Sequence, residues 1–295
     1  MKRLIINADD FGLTAGINRA IAEAHQHGVV TSASMMAAGA QLDEAVALAR
    51  TLPRLSIGCH VDLIHLAPVS APGQIPTLTK GATFRPGFAR FARAALRNRL
   101  SPAEITAEAV AQMAKLQSAG LTLTHFDTHK HTHLFPRVLR PLLAAAKMCA
   151  IRAVRNPFEP DPMVRFSQVS LRPRMLTRYC AVRALQSMAG KFRRTVEEEG
   201  LATTDGTVGI VLTGFLNRCR LDALIRRIPE GTWELVTHPG YGDDPALRPL
   251  SALTASRETE LALLTSPGTR DLLKDCGVEL ISYRDLATTA TAPVA

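Results

Sequence analysis

Paired cysteines, aromatic side chains and long apolar runs are all scarce in this chain, and each scarcity removes a class of protein. The five cysteines, Cys59, Cys149, Cys180, Cys219 and Cys276, are odd in number, scattered and without a CxxC spacing. They fit neither a disulfide framework nor a zinc ribbon, which points to a reducing compartment. No stretch of about 18 uncharged apolar residues occurs, so no segment is expected to span a bilayer. The apolar run at Leu4-Ile5-Ile6 is too short for a signal peptide. The expectation is a cytoplasmic protein, soluble or peripheral at the inner membrane face. Aromatics make up only 5% of the residues and no nucleic-acid-binding motif is present. A nucleic-acid partner is therefore not expected, despite a net charge of +9.

Acidic residues are missing from two long stretches. Thr83 to Ala103 carries Arg85, Arg90, Arg93, Arg97 and Arg99, and Pro162 to Val196 carries seven arginines and Lys191. Such faces suit an anionic partner such as a membrane surface; a merely solvated basic surface is the plainer alternative. Phe88, Phe91 and Ala95 share one helical face and Arg90, Arg93 and Arg97 the opposite one. That pattern predicts a basic amphipathic helix whose phenylalanines could dip below lipid headgroups.

With 295 residues and a 46% apolar share, the chain is large enough to bury a real core. Short apolar runs at Leu4–Ile6, Val29–Met36, Leu55–His60, Leu121–Asp127, Ile151–Arg155, Val208–Leu212, Glu234–Thr237 and Val278–Ser282 read as strands. Most alternate with helical patterns, which predicts a parallel α/β arrangement. Ser101-Pro102-Ala103-Glu104 reads as a capping box opening a helix to about Ala119. Residues 67–87, rich in Pro, Gly and Thr, read as a long loop or lid.

The densest chemistry lies in Thr124-His125-Phe126-Asp127-Thr128-His129-Lys130-His131-Thr132-His133, which holds four of the nine histidines. All four, with Asp127, occupy odd positions, so in an extended strand they would share a face. At roughly 3.3 Å per residue such a row would span more than about 25 Å. At most two neighbours could then bind one ion, and the other ligands must come from elsewhere. Asp9 and Asp10, His60 and His238 also fall at the ends of predicted strands. Strand-end clusters converge in parallel α/β folds, so these groups predict one shared site.

Asn7-Ala8-Asp9-Asp10-Phe11-Gly12, Gly58-x-His60, the His125–His133 stretch and His238-Pro239-Gly240 together resemble the YdjC-like carbohydrate deacetylases. The start and the basic insertions look closest to the hopanoid-biosynthesis-associated branch. The resemblance runs from residue 1 to about 285 and implies a (β/α)-barrel-like fold, a distorted TIM-type single domain. Residues 1–287 would form it, with insertions at about 67–100 and 158–205 and a disordered tail at 288–295. It also implies one divalent cation, magnesium or zinc, held by Asp10, His60 and His129. Asp9 is then the candidate base and His238 the candidate acid. His125, Asp127, His131, His133 and Asp62 remain as supporting or substrate-binding residues, with Asp127 and His125 orienting a ligand histidine. The implied reaction removes the acetyl group from an N-acetylglucosamine, on a hopanoid glycolipid or a soluble chito-oligosaccharide. A non-catalytic sugar- or nucleic-acid-binding protein is the alternative from another class. A homodimer is compatible with the sequence.

Overall fold

The computed structural model describes residues 1–159 and 172–289. Residues 162–171 of the second basic stretch, and all of the expected tail beyond residue 289, lie outside them. Residues 288 and 289 belong to the helix Tyr283–Thr289. The strands, in chain order, are β1 (Lys2–Phe11), β2 (Ser32–Met35), β3 (Ser56–Val61), β4 (Thr79–Lys80), β5 (Thr83–Phe84) and β6 (Leu123–Thr128). They continue with β7 (Ala153–Val154), β8 (Ala202–Thr203), β9 (Gly206–Val208), β10 (Gly231–Thr237) and β11 (Val278–Leu280). Apart from the small antiparallel β4–β5 hairpin, all belong to one parallel sheet in the order β8-β7-β6-β3-β2-β1-β10-β9. β11 joins it beside Lys2–Leu4 of β1, so the C-terminal part of the chain packs on its start.

Only Thr204 and Asp205 separate the two edge strands β8 and β9, and Asn156 donates its Nδ2 protons to both of their carbonyls. The sheet is therefore curled into a nearly closed barrel within a single α/β domain, as the pattern of alternating strands and helices predicts. β8 and the β4–β5 hairpin escape that reading because two-residue strands carry no periodicity.

Alternation along the strands divides the barrel wall into two faces. Leu4, Ile6 and Ala8 of β1, with Ile57, Cys59, Val61, Phe126 and Val154, pack outward in the main core. Ile5 faces the barrel interior, where it packs with Ala153, Tyr283 and Leu286. The helix Tyr283–Thr289 thus helps to plug one end of the barrel. Above this plug the inward positions turn polar: Asn7 and Asp9, Ser34, His60, His125 and Asp127, and Glu234 are all buried. Buried polar groups need partners, and most of this layer's groups find them in one another, Asn7 Oδ1 being the exception.

The 67–87 segment is not a free lid. The helix Pro102–Ser118 offers three side chains four residues apart, and each catches a length of the preceding chain. Gln112 receives the Asp62 N–H at 2.9 Å and donates to its carbonyl at 2.7 Å. Glu108 receives the N–H groups of Val69 and Ser70, both at 2.9 Å, and Glu104 receives that of Thr77 at 2.7 Å. The Ser101 cap forms as expected, accepting the Glu104 N–H. The return arm of the capping box is diverted to Thr77, because Glu104 is occupied in holding the loop.

Candidate metal and acid–base site

Two adjacent carboxylates in a regular strand would point to opposite faces. Asp10 avoids this with a left-handed backbone, φ 70°, where the β1–β2 register shifts between Ala8 and Phe11. This bulge lets both Asp9 and Asp10 address the barrel mouth, as bulges beside functional sites often do.

On the facing strands, His60 of β3 lies beside Asp127 of β6 in register. The His60 Nδ1–H donates to Asp127 Oδ1 at 2.7 Å, which fixes the ring and turns Nε2 toward Asp10. Two residues earlier, Gly58 lies beside His125, and a Cβ at Gly58 would sit 2.4 Å from the His125 ring. The glycine of Gly58-x-His60 is thus the space that the His125 imidazole fills.

The extended row of five ends at Thr128. Residues His129–Leu134 form a tight helical turn in which Lys130 and His131 have φ of 54° and 53°. Its members consequently scatter. His125 stays deep in the barrel, stacked on Tyr283 at 3.8 Å and 3.3 Å from Ser34 Oγ. His129 swings to the mouth, where its Nδ1 is 3.3 Å from His60 Nε2 and 3.6 Å from Asp10 Oδ1. The remaining side, His60 Nε2 to Asp10 Oδ1, is 3.7 Å. Ligand atoms around a tetrahedral ion with bonds of about 2.1 Å lie ~3.4 Å apart. The three donors therefore fit a divalent ion.

His131 lies beside His133, and its Nδ1 is buried with no partner among the described residues. His133 is structural in its contacts. It accepts the Thr128 hydroxyl proton at 2.6 Å and donates Nε2–H to the Arg155 carbonyl at 3.1 Å. Asp62 turns into its own loop, receiving the N–H groups of Ile64 and His65 at 2.9 and 3.0 Å. That loop lays the His65 ring parallel to His129, with centroids 5.2 Å apart. Asp127 orients His60 rather than its near neighbour His129.

Two arginines that the sequence reading passed over hold the carboxylates. Arg155, just past β7 and fully buried, grips both Asp9 oxygens at 2.9 and 2.6 Å, and also reaches Asp127 at 2.5 Å and Glu234 at 2.8 Å. Arg257, from the helix Ala255–Thr265, reaches Asp10 Oδ2 at 2.5 Å. The strand-end position of Arg155 was a usable signal; nothing local marks Arg257. His238, at the end of β10, places Nε2 3.9 Å from Asp9 Oδ2, and its backbone N–H donates to Glu260 at 2.6 Å.

The charges follow from these contacts. Burial pushes the Asp9 and Asp10 carboxyls up, but Arg155 with His60 at Asp9, and Arg257 with His129 and His238 at Asp10, together outweigh it and hold both below the usual range. Burial likewise opposes the His60 imidazolium, and Asp127 overcomes it, raising His60 to about 9. Glu234 competes with Asp9 and Asp127 for one guanidinium, and burial leaves it raised to about 6. Burial depresses His125, His131 and His133, each to about 3, and lowers His238. These four rings are therefore neutral bases or donors at pH 7.

A family model for YdjC-like protein matches residues 3–275. The chain belongs to the YdjC-like family. Among its relatives, a carbohydrate deacetylase of Brevibacillus brevis is 31% identical over 285 residues, 96% of this chain and 99% of the relative. A chitooligosaccharide deacetylase of Enterobacter sp. strain 638 is 32% identical over 289 residues, 97% and 99% of the two chains. A crystal structure from Enterococcus faecalis V583, named for a presumed cellobiose-phosphate cleavage, matches with a TM-score of 0.76. It is 24% identical and covers 97% of this YdjC-like chain and 98% of its own, a likeness that speaks for the fold alone. Among the described residues of this family member, no helix is long and apolar enough to cross a membrane.

Proposed function

We propose that the chain is a divalent-metal-dependent N-deacetylase acting on an acetylated sugar. The observation that carries this reading is the convergence of Asp10, His60 and His129 next to the Asp9–His238 pair. When bound there, an ion supplies Lewis acidity, polarising an amide carbonyl and making water more acidic. Two imidazoles and one carboxylate suit zinc or another transition metal better than magnesium.

Asp9 takes the proton of the attacking water. Arg155 keeps its carboxylate ionised and aimed, at some loss of basicity. His238, neutral at rest and with its Nε2 3.9 Å from Asp9 Oδ2, passes that proton on to the departing nitrogen, because an amine leaves poorly until it is protonated. Burial makes this imidazolium readier to release its proton than an exposed one. Water and the N-acetyl group are consumed, and acetate and a free amino sugar leave.

The printed names of the relatives support a carbohydrate as substrate. Our finer proposal is an N-acetylglucosamine on a hopanoid-linked lipid, reached at an anionic membrane surface. Position supports it. The helix Phe88–Leu96 rests Phe88 and Phe91 near Phe135, the residue following the turn that carries His129. Arg90 and Arg93 of this helix, and Arg97 just past its end, are exposed. The membrane contact differs from the sequence expectation in one respect: Phe91 is buried and unavailable to lipid, while Phe88 and Leu96 are exposed. A soluble chito-oligosaccharide is the second reading, favoured by the name of the Enterobacter relative.

Acetate release from a lipid-linked and a soluble N-acetylated sugar, with vesicle co-sedimentation at low and high salt, separates the readings. Release from neither acceptor sinks the enzyme. Release from the soluble one alone, without binding to anionic vesicles, sinks the lipid reading.

A further inference from the structure

The two oxygens of Asp10 have different lives. Oδ1 faces His60 and His129 at 3.7 and 3.6 Å, whereas Oδ2 is held by Arg257 Nη2 at 2.5 Å. Arg257 is itself immobilised: it is 1% exposed, and its Nε donates to the Leu253 carbonyl at 3.0 Å. Its path to Asp10 runs across Gly240. A Cβ at that position would lie 2.9 Å from Arg257 Cδ and 3.2 Å from its Cβ. The glycine of His238-Pro239-Gly240 thus keeps a channel open for the arginine. Three residues further along the same helix, Glu260 receives the His238 N–H. One helix therefore fixes a candidate ligand and a candidate acid together.

We propose that Arg257 is a positioning residue that confines Asp10 to a single donor oxygen. The inference rests on the metal reading above and adds to it a rule for which ions fit. A carboxylate whose outer oxygen is tied in a charge-assisted bond cannot swing to grip an ion with both oxygens. The ion keeps few protein ligands and open positions for substrate and water. That arrangement favours ions content with a small ligand set, such as zinc, over calcium, which takes six to eight oxygens and accepts two-oxygen carboxylates.

The test loads the chelator-stripped protein with cobalt and reads its visible absorption, then measures the affinities for zinc and calcium by calorimetry. It compares wild type with Arg257→Met, Arg257→Lys and Gly240→Ala. Wild type is expected to give the intense bands of a low-coordinate cobalt site. In Arg257→Met those bands should weaken as Asp10 closes on the ion, and the preference for zinc over calcium should fall at least about tenfold. Arg257→Lys should recover most of both signals. Gly240→Ala, which displaces the arginine without deleting it, should move both in the same direction as Arg257→Met, and it decides alone if that variant does not fold. A folded Arg257→Met or Gly240→Ala protein with unchanged spectrum and unchanged preference overturns the role of Arg257 and leaves the metal site standing. Failure of wild type to bind any of the three ions overturns both.

Discussion

The barrel interior beneath Asp9 and the outer face of the helix Phe88–Leu96 both concentrate charge, and they treat it in opposite ways. Inside, Arg155 serves three carboxylates, Asp127 serves both His60 and Arg155, and Arg257 serves Asp10. Each bond fixes an orientation, and removing one partner would strand a buried charge. Outside, Arg90, Arg93 and Arg97 stand in water, where their effect is a long-range field that salt weakens. The interior network is thus suited to aiming groups at a reacting bond, and the surface one only to bringing a partner near.

Substitutions should separate the two regions by size of effect. Asp9→Asn keeps the shape of the Arg155 clasp but removes the proton acceptor, so kcat in an acetate-release assay should fall by about 10²–10⁴-fold. Asp127→Asn leaves His60 in place with a weaker partner, and metal affinity measured by competition with a chelating dye should drop about 10–100-fold.

Glu234 sharpens the picture of a network with more carboxylates than cations. Its folded value, raised from the ordinary 4.5 to about 6, means the native state binds more protons than the unfolded one between those pH values. Its contribution therefore lowers stability as pH rises through that window and is constant above it. Glu234→Gln should abolish a fall of about 2 kcal/mol between pH 4.5 and 6 in denaturant titrations of chelated protein. An undiminished fall would locate the titration elsewhere. The smallest effect on the fold belongs to the surface. Replacing Arg90, Arg93 and Arg97 together by Gln should leave the melting temperature nearly unchanged while abolishing low-salt binding to anionic vesicles. A large loss of stability would mean that this face is part of the core network after all.

How much of this was legible in the sequence differs between the regions for the same physical reason. The strand ends were readable because Asp9, Asp10, His60 and His238 interrupt apolar runs, and interrupted runs mark where a buried strand meets a loop. The barrel was readable from the strand–helix alternation that produces it. The partners of the arginines were not, because Arg155 and Asp9 are 146 residues apart and Arg257 and Asp10 are 247; only the strand-end position of Arg155 pointed to the site. A charged residue on a helix usually faces water, and no local pattern distinguishes one that reaches into a site. The left-handed turn at Lys130 and His131 was equally hidden, since such backbone is uncommon away from glycine and no glycine marks it here. That turn breaks the row of five into groups with separate surroundings. His129 reaches the metal position, His133 supports the Arg155 backbone, and His125 fills the space left by Gly58. The loop at 67–87 was legible from its composition, but its anchoring was not, because composition says nothing of Glu104 and Glu108 on the next helix.

The central claim is that Asp10, His60 and His129 hold an ion on which sugar deacetylation depends. Its most direct test is acetate release from an N-acetylated sugar by chelator-stripped protein titrated with zinc or magnesium, with bound metal quantified in the same samples. The account predicts that stripping abolishes release, that a single ion per chain restores it, and that His60→Ala and Asp10→Ala neither retain the ion nor recover. Undiminished release by the stripped protein, or full recovery in either variant, would contradict it.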